Sequence, residues 1–280
     1  LASGKGRLDI DLTIPLDESK LDDSKILGDF RFINNDVTVD SALPPLRQVN
    51  GNLRFSGNNL SVPEINASLS GMPLKIRGGL QKDGRVLITA DGQIAVDQLR
   101  QQSSSPLLAN LSGSTPFHGE VRINGRNADL SVESNLVGIA SSLPEPFGKL
   151  ASEPLPLRLE RRLLPGASKT ARAESQARDQ LNASLGKLVE AQIIRRKTNE
   201  GFAPERGAIV IGRALALPEK GLMFGLTAKR VDIDAWRGVL DVGSSDQVEQ
   251  SEGASSWLPD AFSAQVGELG MDGMALNDLD

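Results

Sequence analysis

One histidine, His118 in STPFHGEV, and no cysteine stand in the sequence. An imidazole can serve as general base or metal ligand. A zinc site of ordinary type, however, needs several nitrogen or sulfur donors together, and a lone histidine without cysteine cannot supply them. A Ser-His-Asp triad needs a serine on a nucleophile elbow, and none is present. Ser184-Leu-Gly-Lys187 has the S-x-x-K spacing of serine acyl-transferases but lacks the S-D-N and K-T-G companions. No phosphate loop G-x-x-x-x-G-K-[ST] and no dinucleotide fingerprint G-x-G-x-x-G occurs. The carboxylates Asp9/Asp11 and Asp22-Asp23 do not follow EF-hand spacing and read as solvated faces. N-x-S sequons at Asn59, Asn66, Asn110 and Asn182 matter only in a eukaryotic secretory setting. The expectation is a protein that is not an enzyme, with no catalytic residue, no metal and no cofactor.

The bulk composition agrees. The 280 residues allow one large domain or two smaller ones; 39% are hydrophobic, 4% aromatic, and 28 are glycine. That balance suits many short strands and turns better than a helical globule. A net charge of −5 argues against nucleic acid as a partner. The basic runs RLERRLLP and IIRRK read as solvated strand faces.

Along the chain the dominant signal is period two. In GRLDIDLTIPL, Leu8, Ile10, Leu12 and Ile14 fall on one face and Arg7, Asp9, Asp11 and Thr13 on the other, the mark of a half-wet strand. A short motif then repeats. GDFRFINNDVTV (28–39) aligns without a gap on GNLRFSGNNLSV (51–62), and GEVRINGRNADLSV (119–132) is a looser third copy. Each copy predicts a β-hairpin with one apolar face: Phe30 and Phe32 against Val37 and Val39 across NND, Leu53 and Phe55 against Leu60 and Val62 across SGNN, Val121 and Ile123 against Leu130 and Val132. Gly71 and Asp83-Gly84 mark further turns. QIAVDQLRQQ predicts a short helix. VDIDAWRGVLD is the strongest helix signal, with Asp232 or Asp234 as cap and Trp236, Val239 and Leu240 as its apolar stripe.

The elements predict a mainly β chain: an extended, curved antiparallel sheet of repeated amphipathic hairpins forming an open hydrophobic groove, with a few short helices and no βαβ rhythm. A barrel or a sandwich would satisfy the same alternation. Repetition favours the open-ended solution. The organisation expected is a β-groove segment over 1–165, a flexible insert at 166–178, a second β-groove segment over 179–240 ending in the helix, a flexible loop at 241–256, and the start of another β unit at 257–280. Leu1 in place of Met, and a closing MDGMALNDLD that reads as a strand opening, lead to the expectation of an internal piece of a longer protein with any anchor outside it. The candidate groove lining is Leu8, Ile10, Leu12, Phe30, Phe32, Leu53, Phe55, Leu60, Val62, Val121, Ile123, Leu130 and Val132. The alternative is a structural or interaction module whose apolar face is its own sealed core.

VNGNLRFSGNNLSVPEINASLSGMPLKIRGGL, GIASSLPEPFGK with LPLRLERRLLP, and RGAIVIG leading to VDIDAWRGVL resemble the YhdP family of AsmA-like proteins. ASSLPEPFGK and VDIDAW are the specific parts, and the resemblance spans Val49 to Leu240. It implies a periplasmic part of a protein anchored in the inner membrane of Gram-negative bacteria, similar to bridge-like lipid transfer proteins. Implied partners are phospholipids and, through parts outside this chain, the inner and outer membranes. No catalytic residue is carried over.

Overall fold

Alternating sequences with frequent glycine leave the backbone one economical way to pair its polar groups, which is a ladder with its neighbours in chain order. The computed structural model describes residues 2–15, 25–38, 45–57, 59–103, 105–125, 127–164, 177–198, 201–241, 258–271 and 274–279. Its architecture is mainly β. The sheet is mixed, mostly antiparallel and not closed, its strands follow chain order apart from the short strand Ile139–Ser141, which pairs with residues 111–113 instead, and the helices are few and short. Two units divide the chain, one formed by 1–94 with 116–128, the other by 95–115 with 129–280.

The first unit is built from β1 (Ala2–Thr13), β2 (Lys25–Val37), β3 (Leu46–Ser56), β4 (Asn59–Leu69), β5 (Met72–Leu80), most of β6 (Val86–Ala95) and much of β7 (Leu111–Asn124). From β1 to β6 every neighbour pairs antiparallel. The Asp83-Gly84 turn forms as its sequence demands, with Gly84 at φ 80°.

One expected hairpin does not form. NND is not a turn: Lys25–Val37 is a single strand carrying a bulge. Asn34 sits at φ 50°, and the buried Asn35 accepts from Ile33 N at 2.8 Å while donating to Ser3 O at 3.2 Å. Asn34 N donates to Asn50 Oδ1 at 2.9 Å. Asparagine tolerates the left-handed backbone that either a turn or a bulge requires. Long strands on both sides, pairing Val37 with Ala2 and with Leu46, decide for the bulge. Val39 lies outside the described residues.

The second unit holds α1 (Val96–Gln102), α2 (Pro106–Ala109), most of β8 (Asn127–Ser134), β9 (Ile139–Ser141), β10 (Leu157–Leu164), β11 (Arg178–Leu185), β12 (Val189–Thr198), β13 (Gly201–Ile211), β14 (Gly221–Asp232), α3 (Ile233–Asp241), β15 (Ala261–Met271) and β16 (Met274–Leu279). The run β8, β10, β11, β12, β13 is antiparallel. Here the sheet departs from the expected antiparallel hairpins: β13 pairs parallel to β14, and β14 parallel to β15. The chain between β13 and β14 crosses the sheet, and α3 stands in the connection from β14 to β15. Asp232 Oδ1 caps α3 by accepting from Ala235 N at 2.9 Å. Val239 is buried, whereas Leu240 is 53% exposed and leaves the predicted stripe. Phe147 of the ASSLPEPFGK corner meets Trp236 of VDIDAW edge-to-face at 5.9 Å between centroids, so these two specific segments pack on each other. Residues 166–176 and 242–256 of the expected flexible segments lie outside the described residues.

Candidate functional site

Two antiparallel copies of G-x-φ-R-F are complementary to each other. Gly28 pairs with Phe55, Asp29 with Arg54, Phe30 with Leu53, Arg31 with Asn52, and Phe32 with Gly51. Reversal places each glycine opposite the partner's terminal phenylalanine. Paired residues point the same way, so Phe30, Phe32, Leu53 and Phe55 share one face. Asp29 and Arg54 meet on the other at 3.0 Å, and Asn52 donates to Asp29 at 2.6 Å.

β1 extends the apolar face, because Leu8 pairs with Phe30, Ile10 with Gly28 and Leu12 with Ile26. Leu60 enters it opposite Phe55. Toward β4 the face closes on itself: Val49, Val62 and Ile65 form a buried cluster against Phe32, Leu53 and Ile76. Toward β1 it is open, with Leu8, Ile10 and Leu12 51%, 55% and 56% exposed. Val121 and Ile123 alternate on β7 and are half-buried. The phenyl ring of Phe117, on the same strand parity, lies over Gly92 of β6.

In the second unit Leu130 and Val132 lie on β8 and are half-buried. Val132 pairs with Leu159, Leu159 with Ala183, Ala183 with Ala191, and Ala191 with Ile209. The row continues through Phe224 to Phe262, whose rings stack at 5.5 Å. A neighbouring row runs Leu157, Leu185, Val189, Ile211, Leu226. Leu159, Ile209 and Phe262 remain 42%, 37% and 65% exposed. The opposite face is polar where β10, β11 and β12 run side by side, carrying Arg158, Glu160, Gln180, Asn182, Glu190 and Gln192, and the β13–β14 connection runs over it through Leu215. Burial pushes the Glu160 carboxyl up, but hydrogen bonding and charge from Arg158, with the charge of Arg162, outweigh this and hold it below the ordinary carboxylate value.

The apolar face also carries charge, which the reading of the basic runs as solvated faces missed. Asp179 is fully buried. Arg195 grips it with two hydrogen bonds, at 2.9 and 2.6 Å, and Arg161 adds a third at 2.7 Å. Both guanidiniums stack near the Phe202 ring, at 5.2 and 5.3 Å from its centroid. The signal was present in the alternation: Leu157, Leu159, Arg161 and Leu163 share one parity, as do Asp179 with Leu181 and Arg195 with Ile193.

His118 sits on the polar face of β7. Its Nδ1 lies 2.7 Å from Asp91 Oδ1 and its Nε2 3.5 Å from Glu120 Oε1. The hydrogen bond with Asp91 raises its pKa above the ordinary 6.5. Among the described residues no cluster of three or more His, Cys, Asp or Glu is placed to hold a metal, and no helix is long and apolar enough to cross a membrane.

No curated protein and no solved structure matches the chain. The model of the YhdP protein family does, over residues 2–280. A match across nearly the whole chain agrees with an open sheet of repeated amphipathic strands, and with the Phe147–Trp236 contact between the two segments that carry the resemblance: the chain belongs to the YhdP family.

Proposed function

We propose that the apolar sheet face of each unit carries phospholipid acyl chains, as a periplasmic segment of a bridge-like lipid transfer protein working between the inner and outer membranes. The observation that carries this reading is the row of uncovered aliphatic side chains at Leu8, Ile10 and Leu12, backed by a polar opposite face. Single exposed apolar residues need no explanation, but continuous rows of them on one face do. An acyl chain laid along such a row gains about 0.8 kcal/mol per buried methylene and needs no directional chemistry. Membership of the YhdP family, which is not known as enzymatic, supports the same reading.

The buried cluster at Val49, Val62 and Ile65 favours a second reading, in which the face is the protein's own core. Photocrosslinking from Ile10 and from Ile209, followed by mass spectrometry of the adducts, separates the two. Phospholipid adducts at both positions are expected. Adduct-free protein at both, with no lipid in a solvent extract, leaves the structural reading standing.

A further inference from the structure

The sequence holds two Asn-Gly steps, Asn50-Gly51 and Asn124-Gly125, and both asparagines are exposed. The fold treats them differently. Asn50 lies inside β3, where Gly51 pairs with Phe32 on one side and with Ile65 on the other. Its carboxamide is held at both ends: Oδ1 accepts from Asn34 N at 2.9 Å, and Nδ2 donates to Gln48 O at 2.8 Å. A Cβ on Gly51 would meet Glu64 O at 2.5 Å. Asn124 is the last residue of β7, and Gly125 turns the chain at φ 61°. Among the described residues, no atom beyond the chain neighbours stands within 4 Å of where a Gly125 Cβ would lie, and no side-chain hydrogen bond holds the Asn124 carboxamide. In the second copy of the repeated motif the same place is taken by Ser56-Gly57, with Gly57 at φ 54° and equally open surroundings.

We infer that Asn124-Gly125 is a site of spontaneous deamidation, a modification from which the fold protects Asn50-Gly51. The Gly125 nitrogen, its proton lost to hydroxide, attacks Asn124 Cγ. The Cγ–Nδ2 bond breaks, ammonia leaves with a proton taken from water, and a five-membered succinimide closes. Water then opens the ring. Breaking the new Cγ–N bond gives aspartate. Breaking the bond between that nitrogen and the Asn124 main-chain carbonyl carbon gives isoaspartate, which carries one extra carbon in the backbone. Nothing is oxidised or reduced, and either product adds one negative charge to the net −5. Glycine lacks the Cβ that would crowd the approaching carboxamide. At Asn50 the sheet holds Gly51 and two hydrogen bonds hold the carboxamide, so the same attack waits for local opening. The inference is independent of the acyl-chain reading above.

The test incubates the 280-residue chain in mildly alkaline buffer and follows the peptides that contain Asn50 and Asn124 by mass spectrometry, with isoaspartate identified by electron-transfer fragmentation. In the folded chain Asn124 is expected to convert about tenfold faster than Asn50 or more, with isoaspartate among the products and a rate that rises with pH. In denaturant the two steps should react at similar rates. Asn124→Ser, which copies the Ser56-Gly57 step, should keep the melting temperature and remove the acidic species that isoelectric focusing shows in the aged wild type. Equal rates at the two steps in the folded chain overturn the inference. A difference that persists undiminished in denaturant overturns it too, because local sequence and not the fold would then set the rates. A folded chain in which Asn124 stays intact while the denatured chain reacts overturns it as well.

Discussion

Gly28 lies directly under the ring of Phe55. A Cβ built on Gly28 would stand 2.0 Å from the Phe55 Cζ, and the two residues are paired across β2 and β3. Gly6 accepts the Phe30 ring in the same manner, as Gly92 accepts Phe117. Gly28, which heads the first copy of the motif, is thus a seat for the neighbouring strand's aromatic ring, as Gly6 and Gly92 are, whereas Gly51, which heads the second, faces the backbone of Glu64 and Ile65.

Two glycines of the motif should differ in their tolerance of a methyl group. In Gly28→Ala the obstacle is a ring that can swing, so a cost of about 1 kcal/mol is expected. Gly51→Ala should cost more. Gly51 is at φ 143°, and its Cβ would meet the backbone oxygen of Glu64 at 2.5 Å, which cannot move aside. Urea denaturation of the two variants checks the order. Combining Gly28→Ala with Phe55→Leu should recover much of the loss, and the interaction energy of that double-mutant cycle measures the seat itself.

A carboxylate placed on the apolar face should act in two ways according to position. Val62 is 4% exposed, so Val62→Asp buries an unpaired charge and should destabilise the first unit by several kcal/mol. Ile10 is 55% exposed, so Ile10→Asp should leave the melting temperature nearly unchanged. Phe55→Asp, at a half-buried position, should fall between them. Lipid crosslinking from neighbouring positions should drop in Ile10→Asp although the fold persists. Unchanged crosslinking there would count against Ile10 as lining.

Removing Asp179 should be among the most damaging single changes in the second unit. Asp179→Ala leaves two guanidiniums facing each other without their carboxylate, a loss of about 3–5 kcal/mol for a buried pair. Arg161→Met should cost much less, because the two-bond contact from Arg195 survives. Chemical denaturation curves of the two variants give the comparison.

His118 should give a small pH dependence with a defined sign. Its pKa is raised in the folded state by the hydrogen bond with Asp91, so the folded protein holds the proton more tightly than the unfolded chain does. The stabilisation is complete below about pH 6.5, the unfolded value, and disappears as pH rises through the higher folded value. Solvent screens the pair, which keeps the effect small. The melting-temperature gap between wild type and His118→Ala should be widest in mild acid and close in alkali. A gap that widens with rising pH would show the sign to be wrong.

Alternation made most strands and their apolar parity legible, because burial of one face imposes period two directly on the sequence. It placed Leu8, Phe30, Leu53 and Phe55 on a common face, as the register does. What it could not supply was pairing. NND has the residues of a turn, and only long flanking strands convert it into a bulge. The parallel β13–β14–β15 pairings depend on where connections cross, and no local residue preference records that. Arg161 and Asp179 broke the apolar parity of their strands openly. Such a break has meaning only once β10, β11 and β12 lie side by side and bring the two charges together.

The match between copies of the motif has a cost during folding. A strand that fits β3 by placing glycine against phenylalanine and aspartate against arginine also fits a second β2 running the other way. There Gly28 would meet Phe32, and Asp29 would meet Arg31, across two molecules. Nascent or refolding chains at high concentration therefore have a correctly satisfied wrong partner, one that exchanges strands between copies. Dilution should favour the monomer, and light scattering during refolding at graded protein concentrations reads out how strongly. In the folded chain β2 escapes this fate because β1 and β3 occupy both of its edges.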